Sequence, residues 1–280
     1  QTQAMSIKLL GKRVFITGAA GGIGRKLVNA FIESGCFVDA ADIDEVGLDS
    51  LQQLYSSSQL NTVVLDISSS DACQAAVNST ESTDILINNA GASMGLIRDN
   101  HLDELVSIDE LSPEIWKHFI NTNLSGAWYL TRAILPQMKE KQWGRIINVS
   151  TSFFTMLRPM FHPYGPAKAG LEAMSAGHAG EFSKYGITVN VVVPGGPCDT
   201  AMVPAVTKID REALIPPEAM VAPMLWLCSD DAEGVTGKRY VAAHWDPKKT
   251  TSEARAASEE QIAWQQPVSY THLTLPTKRI

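Results

Sequence analysis

The chain is expected to fold as a single α/β domain, a doubly wound parallel sheet of about seven strands with helices on both faces. Three observations predict it. Short β-type runs alternate with longer segments of helical periodicity. Two of the runs, 85–87 and 189–193, are apolar, the second broken only by Asn190, as strands covered on both faces should be. No shift of composition divides the alternation in two, and 280 residues suffice for one large core.

Taken in order, strands are expected at 13–17, 37–41, 62–65, 85–88, 145–150, 188–193 and 239–242. Helical patterns lie between them, among them 23–34, 113–141 and 164–184. The segments 92–112 and 198–217 are longer and less periodic. Both follow strands at their carboxyl ends, where open α/β sheets bind ligands, so they are the candidate substrate loops. The alternation ends near Asp246, which gives a main domain over 1–246 and a C-terminal extension over 247–267. The remaining 268–280 begins Val268-Ser269-Tyr270-Thr271-His272-Leu273 and resembles read-through into a sequencing adapter, so it is set aside as non-native.

Net charge is −7 and spread without long like-charge blocks, which argues against nucleic acid as a partner and against a basic membrane-binding face. No apolar run approaches the roughly 20 residues of a membrane-spanning helix. Cys36, Cys73, Cys198 and Cys228 are scattered, with neither a Cys-x-x-Cys pair nor metal-ligand spacing, and the six His residues show none either. The reading is a cytoplasmic protein with reduced thiols and no metal.

Thr17-Gly18-Ala19-Ala20-Gly21-Gly22-Ile23-Gly24 directly follows the first strand and opens a helix whose Ile23, Leu27, Ala30 and Phe31 share one face. Glycines permit a tight turn and close backbone approach, and a helix N-terminus offers free N–H groups to a pyrophosphate. An ordinary Gly-rich turn is the plainer reading, and the strand before and helix after it favour a dinucleotide. Asp42, at the end of the second strand, can accept hydrogen bonds from adenosine ribose hydroxyls and would repel a 2′-phosphate. NAD is therefore expected in preference to NADP.

Tyr164 and Lys168 stand four apart, on one face of a helix, and Pro166 is admissible only in that helix's first turn. Cation and helix dipole would both favour phenolate, lowering the Tyr164 pKa from about 10 and fitting it for general acid/base work. A lone Tyr-x-x-x-Lys is more often a packed Tyr and a solvated Lys. Here the pair follows a strand that delivers Ser150, Thr151 and Ser152 to a carboxyl end, where a hydroxyl can hold a substrate oxygen.

With these motifs in place, the chain resembles the short-chain dehydrogenase/reductase family in its NAD-preferring, single-domain, Rossmann-type form. The likeness runs from Leu10 to about Asp246. It rests on the Gly turn, Asp66-Ile67 after the third strand, Asn88-Asn89-Ala90-Gly91 after the fourth, Asn123, the Tyr164/Lys168 pair, and Pro194-Gly195 after the sixth. The resemblance implies that Thr17, Gly18, Gly22, Ile23 and Gly24 cradle the cofactor and that Asp66 and Ile67 flank its adenine. Asn89, Ala90 and Gly91 would support its ribose side, with Pro194, Gly195 and Thr200 toward the carboxamide. It further implies that Lys168 binds the nicotinamide ribose and tunes Tyr164, while Asn123 fixes a water leading to Lys168. The family's active-site Ser position, thirteen before the Tyr, here holds Thr151, with Ser152 as the substitute.

The expected reaction is reversible hydride transfer between nicotinamide and the carbonyl or secondary alcohol of a small molecule, Tyr164 exchanging the proton. A 3-oxoacyl-thioester reductase, a sugar or polyol dehydrogenase and a steroid-type dehydrogenase all satisfy this chemistry. A non-catalytic NAD(H)-binding sensor or scaffold is the alternative of a different class. The loop residues Met94, Leu96, Ile97, Met156, Leu157, Phe161, Met202 and Val203, beside Arg98, Arg158 and His162, line either an apolar pocket or the core. The helices at 113–141 and 164–184 are expected to pair subunits into a homodimer or homotetramer, with Trp226, Trp245 and Trp264 extending the contact.

Overall fold

The computed structural model of the chain describes residues 8–205 and 207–264. The adapter-like 268–280 lies outside the described residues. The strands are β1 Arg13–Thr17, β2 Phe37–Asp42, β3 Leu60–Val64, β4 Ile85–Asn88, β5 Gly144–Val149, β6 Ile187–Val193, β7 Lys238–Val241 and β8 Glu259–Gln261. They form one sheet in the order β3-β2-β1-β4-β5-β6-β7-β8. Strands β1 to β7 are parallel, and β8 adds an antiparallel edge to β7. Strand order reverses between β1 and β4, so a crevice opens at their carboxyl ends, the ligand position of such sheets.

Alternation along each strand divides the core between two faces. Val14 and Ile16 of β1 point to one side, with Leu27, Phe31, Met224, Trp226, Tyr240 and Trp245. Phe15 points to the other, with Leu86, Leu130, Ile134, Phe182 and Val189. The first face is covered by α1 Gly22–Glu33 and α8 Val221–Cys228, both contributing to that cluster. The second is covered by α3 Ser70–Ser79, α5 Gly126–Lys141 and α7 Tyr164–Phe182. Trp226 and Trp245 are therefore core residues, 3% and 9% exposed with ring centroids 5.4 Å apart, and the expectation that they extend a subunit contact fails. The apolar burial each supplies is satisfied within the chain.

The expected helix over 113–141 is present but not uniform. It begins as α4 Pro113–Ile120, capped by Ser112 with Pro113 in its first turn, passes through a π segment at Asn121–Ser125, and continues as α5. Two short helices not expected from periodicity are also present: α2 Glu45–Gln52, capped by Asp44, and α6 Phe153–Leu157, capped by Ser152. Beyond Asp246 the described chain keeps its order. Thr250 caps α9 Thr251–Ser258, and Glu259 of β8 accepts a 2.6 Å hydrogen bond from the Tyr240 hydroxyl. No helix among the described residues is long and apolar enough to cross a membrane.

Candidate active site

The Gly turn closes on itself at the reversal point. Gly18 has φ +64°, and a Cβ there would stand 2.9 Å from Ala90; one on Gly24 would stand 2.0 Å from the Gly18 carbonyl oxygen. Only glycine fits either place. Helix α1 then starts from Gly21 with no side chain capping it, whereas α2, α3 and α4 are capped by Asp44, Ser69 and Ser112. The leading N–H groups of α1 thus lack the side-chain acceptor that α2, α3 and α4 have, which fits a pyrophosphate. Ile23, half-buried, anchors the turn against the core.

Thr17 and Asn89 lock the ends of β1 and β4 together. Thr17 Oγ1 accepts from the N–H groups of Asn89 and Ala90, both at 3.0 Å, and Asn89 Nδ2 donates to the carbonyls of Thr17 and Gly18 at 3.1 and 3.2 Å. Asp42 sits beside the turn, one oxygen accepting from the Ala20 N–H at 2.9 Å and the other from the Asp44 N–H at 3.0 Å. Asp66 is exposed and accepts from the Ser68 N–H, while Ile67 is buried against Gly126. Across the crevice, Gly195 turns at φ +100°, Pro194 accepts from the Ala243 N–H at 2.9 Å, and Thr200 reaches over the Gly turn. A Cβ on Gly22 would meet the Thr200 methyl at 2.7 Å.

On the other side of the crevice, Tyr164 begins α7 and Lys168 follows one turn later. Lys168 is buried, 4% exposed, and donates from Nζ to the Val149 carbonyl at 3.0 Å, with Nζ 5.9 Å from the Tyr164 ring centroid. The Thr151 side chain lies beside the Tyr164 hydroxyl and pulls its pKa down. Ser152 is committed elsewhere: its Oγ accepts from the Thr155 N–H at 3.1 Å and caps α6. Of the two hydroxyls named from sequence, Thr151 is the one beside Tyr164.

Asn123 lies within the π segment, 2% exposed. Its carboxamide clamps the backbone of Ala92, Oδ1 accepting from N–H at 2.6 Å and Nδ2 donating to the carbonyl at 2.9 Å. The first residues of the loop at 92–112 are thereby fixed. A Cβ on Gly91 would lie 3.1 Å from Asn123 Oδ1 and 3.5 Å from Lys168 Nζ, which brings the three residues together.

Burial dominates the electrostatics. It pushes the Tyr164 phenol up to about 12, Thr151 pulling the other way, and pushes the Lys168 ammonium down to about 8. The sequence-based expectation of a depressed phenol is corrected accordingly, because desolvation of the buried phenolate outweighs the pull of Thr151. A phenol with so high a pKa is protonated at neutral pH and suited to donate.

The family model for the short chain dehydrogenase matches residues 12–210. The chain belongs to this family. It is 32% identical over 244 residues to the 3-oxoacyl-[acyl-carrier-protein] reductase of Vibrio harveyi, covering 83% of this chain and 96% of the relative. It is 34% identical over 196 residues to the 2,3-dihydroxy-2,3-dihydro-p-cumate dehydrogenase of Pseudomonas putida, covering 68% and 72%. An oxidoreductase of the same family from Burkholderia thailandensis superposes with a TM-score of 0.69 at 26% identity, over 82% of this chain and 90% of that one. This short-chain dehydrogenase is an NAD(P)-dependent oxidoreductase of alcohol and carbonyl groups.

The loop residues divide rather than forming one pocket. Met94, Met156, Phe161 and Val203 are buried, whereas Leu96, Leu157 and Met202 are exposed and are joined by Phe154 and Met160, which sequence reading missed. Arg98 is tied to Glu110 and to the Leu105 carbonyl. Arg158 instead lies over the Phe161 ring at 5.1 Å, and that ring stands edge-on to Tyr164 at 5.8 Å. A buried polar chain was also missed: Asn88 Nδ2 donates to Asn148 Oδ1, whose own amide donates to Ser175 Oγ on α7, each at 2.8 Å. Two Asn residues at the carboxyl ends of neighbouring buried strands were the available signal.

Proposed function

We propose that this enzyme carries out reversible, NAD-preferring hydride transfer at the carbonyl or secondary-alcohol carbon of a small apolar molecule. The observation that carries the reading is Tyr164 standing beside Thr151 and one turn before buried Lys168 on α7, facing an uncapped Gly turn across the crevice. The dinucleotide would be held by Thr17, Gly18, Gly22, Ile23, Gly24, Asp42, Asp66, Ile67, Asn89, Ala90, Gly91, Pro194, Gly195 and Thr200. When bound, it supplies or takes up the hydride.

The chain's own residues handle the oxygen and the proton. Thr151 donates a hydrogen bond to the substrate oxygen and holds it at Tyr164 Oη. Tyr164 gives that oxygen its proton on reduction and takes it back on oxidation. Lys168 brings a positive charge to the crevice floor, which favours transient phenolate. Asn123 keeps the Ala92 loop in place. Asp42 favours NAD, its carboxylate being aligned by the Ala20 N–H at the mouth of the turn. A related fold from Beutenbergia cavernae, assigned as an NAD(P) dependent gluconate 5-dehydrogenase, holds NADP at low occupancy, so the cofactor comparison below is decisive for this chain.

Exposed Leu96, Phe154, Leu157 and Met202 favour an apolar substrate, and Arg158 offers a pairing group for an acidic substituent on it. Trp116 and Trp128, 44% and 45% exposed on α4 and α5, support a homodimer or homotetramer through those helices. Four free cysteines, three of them buried, support a cytoplasmic setting. The main domain is placed at 1–246, with 247–267 as its extension and 268–280 as non-native.

The test is NADH and NADPH oxidation by wild type and Tyr164→Phe with acetoacetyl-CoA, ethyl acetoacetate, cyclic ketones bearing a carboxylate, and keto-sugars. NADH turnover that collapses in the variant with NADH binding intact is the expected result. Tight NADH binding without turnover of any member would transfer the reading to a sensor.

A further inference from the structure

We infer that Arg239 is a positioning residue that holds Thr151 at Tyr164, with Glu172 as its anchor; this rests on the roles proposed above for Thr151 and Tyr164. Arg239 stands on β7 beneath the crevice, 1% exposed, and Glu172 on α7 is fully buried. The guanidinium divides its fork between two elements. One terminal nitrogen donates to Glu172 Oε2 at 2.8 Å and the other to the Thr151 carbonyl at 2.6 Å. Its Cζ lies 4.2 Å over the Phe153 ring, and Nε lies 3.4 Å from Glu260. The second Glu172 oxygen accepts from the Ala263 N–H at 3.3 Å.

The placement gives this pair a task beyond filling space. Tyr164, Lys168 and Glu172 succeed one another at intervals of four along α7, so they share a face. Thr151 belongs to the loop after β5 and is not part of that helix. Arg239 bonds α7 through Glu172 and the loop through Thr151 at the same time, and so sets the separation between the helix bearing Tyr164 and the residue bearing its hydroxyl partner. Ser152 is already pinned by its cap on α6, and Arg239 fixes the adjoining Thr151 carbonyl. A buried ion pair is weak evidence for stability, and an apolar pair of similar volume often packs as well. What an apolar pair lacks is the bond to Thr151. Lysine, with a point charge rather than a planar fork, cannot serve both partners equally.

The experiment uses the full chain, NADH, and the fastest-reduced carbonyl of the panel above. The Glu172→Met/Arg239→Met double variant removes both charges together and so leaves neither buried alone. It should keep its thermal transition and NADH affinity while kcat falls at least about tenfold, and Arg239→Lys should lie between it and wild type. The decisive comparison is a cycle with Thr151→Ala. If Arg239 acts through Thr151, the charge-free pair lowers kcat further by less than about twofold once Thr151 is alanine. An undiminished tenfold loss in that background, or a folded Arg239→Lys with wild-type kcat, overturns the inference and leaves the Thr151 reading standing. Thr151→Ala with unchanged kcat overturns both, and is told apart by that single variant.

Discussion

Replacing Lys168 by Met should make the cofactor-free enzyme more stable and inactive at once. Burial lowers the ammonium from 10.5 to about 8, so holding it charged in the fold at neutral pH costs on the order of 3 kcal/mol at about 1.4 kcal/mol per pKa unit. Methionine avoids that cost and fills similar volume. Against this stands the lost hydrogen bond to the Val149 carbonyl, worth about 1 kcal/mol. The net gain is about 2 kcal/mol, or on the order of 5 °C in Tm. The pH dependence fixes the cause. Between about pH 8 and 10.5 the unfolded chain holds a proton on Lys168 that the folded chain has lost, so wild-type stability rises through this window. The deficit is fully present below about pH 8 and gone above about 10.5. Denaturant unfolding at pH 7 and pH 10 should therefore show the advantage of Lys168→Met shrinking with pH. A variant no more stable than wild type at pH 7, or an advantage independent of pH, would refute the reasoning.

Thr151→Ala should lower kcat by about tenfold or more with NADH binding unchanged, whereas Ser152→Ala should cost about 1 kcal/mol of stability through the lost cap and little kcat. Steady-state kinetics beside thermal melts separate the two. Asp42→Ala should move the NADH:NADPH ratio of kcat/KM by about tenfold toward NADPH, about 1.4 kcal/mol, as a fixed negative charge leaves the turn. An unchanged ratio would show that Asp42 does not set the preference. Trp226→Ala should destabilise by about 3–5 kcal/mol, since the ring is 3% exposed between Tyr240 and Trp245. A loss below about 1 kcal/mol by denaturant unfolding would contradict that packing.

The strands and the Gly turn were legible because their determinants are local. Predominantly apolar runs mark β4 and β6 as doubly covered, and a glycine string between strand and helix has few other uses. Tyr164, Lys168 and the hydroxyl run could likewise be placed together, Thr151 ahead of Ser152 by its spacing from Tyr164, and the cap of α6 shows what Ser152 does instead. What escaped depends on long-range pairing. Five-residue α6 is too short to show a period, and β8, Glu259-Glu260-Gln261, is a polar edge defined by its partner. Glu172 and Arg239 stand 67 residues apart, each looking like an ordinary surface charge until the fold buries both. The direction of the Tyr164 pKa failed for a related reason: charge and dipole can be guessed from spacing, but the depth of burial that overrides them cannot.

The π segment at Asn121–Ser125 ties chemistry to assembly of the fold. A wide turn accommodates about one residue more than regular helix, so every side chain after it is rotated by roughly 100° relative to an uninterrupted α4–α5 rod. Leu130, Ile134 and Met138 meet the sheet only in that shifted phase. Straightening the helix with its residue count unchanged would withdraw the Asn123 carboxamide from Ala92 and, in the same stroke, swing the apolar stripe of α5 off the core. The amide's aim and the helix's seating therefore rest on the same extra residue, absorbed in one wide turn.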